Sequence, residues 1–275
     1  MNDGKHGVAR RAMLAGMVAA AACASGARAD DGWIPGGTET FKLNLGGVVT
    51  TNNANFRLDG SGGRGTDIDL ESVTGLKEGV TTFFAQGTWR FAPNHRIGLT
   101  GFVVDRDRSA VIDRTITIGD TVIPVSTPLT TEAKTQFFIA NYQYSFIRNA
   151  DMELAATLGI YGANFKYRFS AQSPIVNIDK STTAPLPLIG LSADFYLMPQ
   201  WTATVFGEGL KLKVGDVDGS MYHVGASTEY MITRNWGAGL GWQLADLKVD
   251  VTKSGFNGRI QWRMDGWFAY LQAKF

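Results

Sequence analysis

The chain has 275 residues, a formal net charge of +1, 19% charged and 44% hydrophobic residues, 33 glycines and one cysteine. Near-neutrality removes the bulk attraction that nucleic-acid binding needs, and a lone Cys23 excludes a disulfide framework. After residue 29 no run of about 18 apolar residues occurs, so no helical membrane span is expected.

Residues 1–29 read as an export signal. Lys5, Arg10 and Arg11 precede an apolar run over 12–24, and Ala27-Arg28-Ala29 supplies small residues for a cut before Asp30. That run is shorter than the about 20 residues a spanning helix requires. Arg10-Arg11 lacks the usual surroundings of a twin-arginine signal. Cys23 is disfavoured as a lipoprotein acceptor because Ala20 stands where a Leu-like residue is expected. Cleavage removes the cysteine and brings the net charge to about −2. Residues 30–40 are expected to form a periplasmic segment and 41–275 the folded body.

From Phe41 onward, period-2 alternation recurs. Leu43, Leu45 and Val49 oppose Lys42, Asn44 and Thr50; Phe83, Trp89 and Phe91 oppose Gln86, Thr88 and Arg90. Ile97, Leu99 and Val103 oppose Arg96, Thr100 and Arg106; Phe138, Tyr142 and Phe146 oppose Asn141, Gln143 and Ser145. Leu158 and Ile160 oppose Glu153 and Thr157; Ile189, Leu191 and Leu197 oppose Ser192 and Asp194. Trp201 and Val205 oppose Thr204 and Glu208; Tyr222, Val224 and Tyr230 oppose His223, Ser227 and Glu229. Trp236, Leu240 and Trp242 oppose Gly237, Gly239, Gly241 and Gln243. One apolar and one polar face, on strands of about nine to eleven residues, fit a wall between lipid and a wet lumen.

The connections alternate as well. Ala92-Pro93-Asn94-His95, Ile147-Arg148-Asn149-Ala150, Met198-Pro199-Gln200 and Thr233-Arg234-Asn235 are short turns. Between them lie longer links at roughly 53–79, 110–132 and 166–184, and shorter ones at 215–219 and 251–255. Gly119-Asp120 makes the second long link a protruding hairpin. Short turns on one side and long loops on the other is the outer-membrane arrangement, the short side being periplasmic. Trp89, Phe91, Phe146, Phe195, Trp201, Tyr230, Trp236 and Phe275 cluster at the short turns as an interfacial girdle.

The end of the chain sets Trp267, Ala269, Leu271, Ala273 and Phe275 against Phe268, Tyr270, Gln272 and Lys274. This strand resembles the terminal strand of Gram-negative outer-membrane β-barrels. The resemblance implies that Trp267, Ala269, Leu271, Ala273 and Phe275 form the signal read by the barrel-assembly machinery. Gly65-Thr66-Asp67-Ile68-Asp69-Leu70-Glu71 with Gly75-Leu76, followed by a strand ending Trp89-Arg90-Phe91, is similar to a small group of proteobacterial outer-membrane barrels. The similarity runs through Ala184-Pro185-Leu186-Pro187 to the terminus and implies fold and location, with no activity to carry over residue by residue.

The expected fold is therefore all-β: a transmembrane antiparallel up-and-down β-barrel of about ten strands, with eight or twelve as alternatives, even in number so that both ends face the periplasm. Residues 256–275 are read as one long strand whose outward positions above the membrane are Arg259, Gln261, Arg263 and Asp265. Lumen-facing candidates are Lys42, Arg90, Arg96, Arg106, Glu153, Asp194, Glu208, Glu229 and Lys274, of both signs and able to pair. The segment 53–79 either plugs the barrel, caps it, or is solvated.

Chemistry is sparse. Asp67, Asp69 and Glu71, like Gly215-Asp216-Val217-Asp218-Gly219, fall short of a calcium loop's spacing; no metal or cofactor is expected. After cleavage only His95 and His223 remain as imidazoles. Ser220, Ser227 and Glu229 flank His223, but i and i+4 on a strand lie about 13 Å apart, so no enzyme is expected. The function expected is a structural barrel or a narrow passive channel for ions or small solutes. The alternatives are adhesion or ligand binding by surface loops and, more remotely, lipid modification. Expected partners are outer-membrane lipids, lipopolysaccharide and the assembly machinery, with the protein a monomer.

Overall fold

A computed structural model describes residues 33–63, 65–172, 175–253 and 256–275; the export signal expected at 1–29 lies outside these residues. In chain order the elements are β1 (Phe41–Leu58), β2 (Ile68–Asp69), α1 (Leu70–Thr74), β3 (Gly79–Ala92), β4 (His95–Val111), β5 (Ile116–Ile118) and β6 (Thr121–Ile123). They continue as β7 (Pro128–Arg148), β8 (Met152–Gln172), β9 (Ile175–Met198), β10 (Trp201–Val214), β11 (Val217–Met231), β12 (Trp236–Lys253) and β13 (Phe256–Lys274). Ten of the strands pair antiparallel with their neighbours in the order β1, β3, β4, β7 through β13, and β13 pairs back onto β1. The seam is continuous from Lys42 opposite Lys274 to Leu58 opposite Gly258. Closure pairs the first strand with the last, as a strand-built membrane protein requires.

The strand faces follow the alternation. Leu45, Val49, Phe83, Leu99, Phe138, Leu158, Ile189, Leu240 and Leu271 are exposed, forming the apolar band a hydrocarbon layer would cover. Trp89, Phe91, Phe146, Trp201, Tyr230 and Trp236 are exposed at the short turns. Inward glycines make room for large rings: a Cβ on Gly239 would collide with the Tyr270 ring and one on Gly241 with Phe268.

Three details of the expected wall need correction. The link at 166–184 is not a loop, because β8 runs to Gln172 and β9 starts at Ile175. These strands have 21 and 24 residues, against the about nine to eleven that cross a bilayer, so a tall hairpin stands beyond it. The second long link does contain a hairpin turning at Gly119, but it does not protrude. Ile116, Ile118 and Ile123 are buried. Third, the interior of the upper half is not wet.

There the polarity of the two faces inverts. On β1 the inward residues pass from Asn44 to Ala54, Phe56 and Leu58, while the outward ones pass from Leu45 and Val49 to Asn53, Asn55 and Arg57. On β8 the inward series continues into Phe165, Tyr167 and Phe169, all buried, with Lys166 and Arg168 outside. On β13 Trp262 and Ile260 are buried between exposed or half-exposed Arg263, Gln261 and Arg259. The cause is a change of solvent: within the bilayer the outside is apolar, whereas above it the outside is water and only the inside can hold a hydrophobic core.

The segment 59–78 completes this core. β3 begins only at Gly79, so above Thr51 the edge of β1 has no β3 partner. β2 takes that edge, with Ile68 opposite Phe56. Asp69 caps α1 by accepting from the Ser72 N–H at 2.8 Å, and Gly75 ends the helix in the left-handed region at φ +69°, which favours glycine. Ile68, Leu70, Val73 and Leu76 are buried with Phe56 and Leu129. The expected alternatives for this segment thus resolve to inward packing.

Candidate functional site in the barrel interior

The interior has a charged layer at the short-turn end, a cavity above it and an apolar layer on top. The charged layer is centred on Glu153, fully buried on β8. Arg90 grips it through two bonds, Nη1 to Oε1 at 3.0 Å and Nη2 to Oε2 at 2.9 Å, a bidentate pairing of the strong kind. Tyr196 donates to Oε2 at 2.8 Å and Ser145 donates to Oε1. Arg96 stands 3.7 Å from Glu153 and donates to Asp194 at 3.1 Å, while Thr204 also donates to Asp194, at 2.7 Å.

A second cluster surrounds Glu229. Lys42 lies 3.3 Å and Lys274 3.9 Å from its carboxylate, and the Tyr270 hydroxyl donates to it at 2.8 Å. Next to it, Gln272 donates to Asn44 at 3.1 Å and Asn44 to Gln86 at 2.9 Å. Residues 33–40 fold under these clusters. Glu39 is buried 3.8 Å from Arg90, and Arg148 donates twice to the Gly37 carbonyl, at 3.1 and 2.8 Å. Charges withdrawn from water are costly unless paired, and here each carboxylate has a cation beside it.

Above this layer lies a cavity of about 200 Å³ lined by Phe84, Phe102, Phe206, Glu208, His223 and Trp262 among others. His223 contacts the Tyr161 hydroxyl through Nδ1 at 2.7 Å and the Gln243 Oε1 through Nε2 at 3.2 Å. Glu208 lies 3.6 Å from Nδ1. Ser220, Ser227, His223 and Glu229 do not assemble into one constellation, since Glu229 is held by Lys42, Lys274 and Tyr270. His95 begins β4, its ring 5.7 Å from Phe91 and 5.3 Å from Tyr144. It belongs to the aromatic girdle.

Arg106 is separated from the other lumen candidates. It lies in the apolar layer and donates to Glu71 of α1, both buried. The other Glu71 oxygen accepts from the Ala54 N–H at 2.8 Å, serving the β1 edge that β3 leaves open. In the acidic run, Asp67 stands 3.3 Å from Arg57 and Asp69 caps α1. Sequence reasoning missed Glu71 as an interior residue. The available signal was its place in Ile68-Asp69-Leu70-Glu71, where apolar and acidic residues alternate. In the same layer, burial pushes the Tyr167 hydroxyl well above the usual phenol range.

A closed antiparallel ring of ten strands, apolar outside at one level with polar and charged side chains inside, is the outer-membrane β-barrel fold. The structure of the outer membrane protease OmpT from Escherichia coli superposes with a TM-score of 0.54 at 11% identity, covering 86% of this chain and 96% of that one. The toluene transporter TodX of P. putida matches at TM-score 0.37 and 7% identity, over 88% and 93% of the two chains. The attachment invasion locus protein Ail of Yersinia pestis matches at 0.34 and 12%, over 85% and 99%. At such identities the likeness to OmpT is one of fold. No protein-family model matches the chain, and no curated protein sequence matches it significantly.

Proposed function

We propose that this chain is an integral outer-membrane β-barrel with a closed lumen, serving as an anchored scaffold for its extracellular upper half and not as an open diffusion pore. The observation that carries this reading is the double seal. Inward Arg90 and Arg96 are buried in ion pairs with Glu153, Glu229 is buried between Lys42 and Lys274, and Phe56, Phe137, Phe165 and Trp262 are buried above them. A solute path needs water-lined space at both levels. The girdle and apolar band support an outer-membrane location, with lipids and lipopolysaccharide as surroundings and residues 1–29 as the export signal. Trp267, Ala269, Leu271, Ala273 and Phe275 lie at the seam with β1 and are proposed as the signal for the assembly machinery.

Planar-bilayer recording of the purified protein tests the scaffold reading. No steady conductance is expected, and a stable open channel in the wild type would overturn it. A gated channel is the second reading, favoured by the cavity between the seals. Proteolysis of the kind OmpT performs finds no such support: both ring nitrogens of His223 are occupied by Tyr161 and Gln243.

A further inference from the structure

We propose that the cavity between the two seals is a binding site for a small organic cation, an amine or ammonium, held by the Glu208 carboxylate among aromatic side chains. The argument starts from charge. In and beneath the cavity four inward cations, Lys42, Arg90, Arg96 and Lys274, face five carboxylates, Glu39, Glu153, Asp194, Glu208 and Glu229. Every cation is engaged with a carboxylate other than Glu208.

The one ionic neighbour of Glu208 among the described residues is His223, 3.6 Å away, a side chain that is cationic only when protonated. Its two ring nitrogens are already engaged, Nδ1 with the Tyr161 hydroxyl at 2.7 Å and Nε2 with Gln243 Oε1 at 3.2 Å. Glu208 is thereby left as an inward carboxylate with only 11% side-chain exposure and no permanent cation of its own. Such a charge is costly until a positive group reaches it. The fold makes room for it: opposite Glu208 on β9 stands Gly190, where a Cβ would come within 2.7 Å of the Glu208 Cγ.

The rest of the wall suits an organic cation better than a hydrated one. Phe206 lies two residues away on the same inward face of β10, its ring 4.8 Å from that of His223. Phe84 meets Phe268 and Tyr270 edge-on, each at 6.1 Å between ring centres, and all three line the cavity. Aromatic faces attract ammonium groups, more strongly where water is excluded. Asn141 Oδ1 and Ser192 Oγ are buried at the wall without hydrogen-bond partners and can accept from an ammonium; Arg96 Nε and Trp262 Nε1 are the unpartnered donors there. About 200 Å³ exceeds the roughly 150 Å³ of an apolar cavity that takes benzene. A single-ring amine is therefore the right size.

The test does not depend on the scaffold reading, which conductance decides separately. Folded wild-type protein in detergent is equilibrated with benzylamine or with benzyl alcohol, its neutral counterpart, and binding is read by equilibrium dialysis. Benzylamine should bind at least about tenfold more tightly than the alcohol. Glu208→Gln should remove that preference while leaving the alcohol unaffected. Should the variant not fold, Phe206→Leu keeps the carboxylate and removes one ring; it should weaken benzylamine several-fold. Equal binding of amine and alcohol, no binding of benzylamine, or benzylamine affinity unchanged in a folded Glu208→Gln or in Phe206→Leu would overturn the proposal.

Discussion

Arg106 and Glu71, 35 residues apart in sequence, form a buried ion pair that fastens the inserted helix α1 to the barrel wall. The same carboxylate accepts the Ala54 N–H, so one side chain joins α1, β1 and β4. Glu71→Ala leaves a buried guanidinium unpaired and a strand N–H without an acceptor. The expected cost is about 3–5 kcal/mol, with segment 59–78 becoming the first site of cleavage in limited proteolysis. Unchanged melting and an unchanged cleavage pattern would show that apolar packing alone holds the segment.

The inversion of polarity along β12, where Ala245, Leu247, Val249 and Val251 are buried, predicts opposite tolerances at two of its outward positions. Leu240 faces the apolar band, and an arginine there should cost about 2–4 kcal/mol near mid-bilayer. Eight residues on, Lys248 points to the same side but above the band; Lys248→Leu should stay within about 0.5 kcal/mol. Urea unfolding from lipid vesicles measures both. Similar penalties would mean that the level at which the faces exchange has been misplaced.

Glu153 binds two arginines, Ser145 and Tyr196, so its loss should exceed that of any one partner. Glu153→Ala is expected to cost about 3–5 kcal/mol. In a double-mutant cycle with Arg90→Ala, a coupling of up to about 3 kcal/mol should appear. Additive effects would mean that the pair contributes nothing beyond its separate parts. Arg96→Ala should likewise lower the melting temperature without opening a conducting path, since the apolar layer above remains.

Deleting Phe275 removes its N–H donor to Phe41, at 2.9 Å, and the carbonyl that accepts from Thr40 and Phe41, at 2.7 and 3.0 Å. The seam between β13 and β1 should close poorly, and the fraction of heat-modifiable, folded protein in membranes should fall. A normal folded yield would remove Phe275 from the assembly signal.

The membrane half of the wall was legible in the sequence because its alternation matches what lipid outside and polar groups inside demand. Leu45 against Asn44 and Leu158 against Thr157 each point one way only. The upper half was obscured by the expectation of a wet lumen. Between 166 and 172, Lys166 and Arg168 alternate with Tyr167 and Phe169 at the same period, so the strand signal was present with its sides exchanged. Read as loop, it concealed the core. The ion pairs were half legible: inward charges of both signs could be recognised on single strands, but which one meets which depends on closure of the ring. Glu71 finding Arg106 depends on it most, since the space it fills exists only because β3 is shorter than its neighbours.

The exchange of faces along β1 and β13 also acts as a check on strand registration. In a barrel that was apolar outside and polar inside throughout, a slip of one residue at the β1–β13 seam would be penalised only within the bilayer. Here the same slip would turn Leu271 into the lumen and Trp262 out to water at once, so the two halves of a strand reject the error together. The upper core thus makes the seam harder to close in a wrong position.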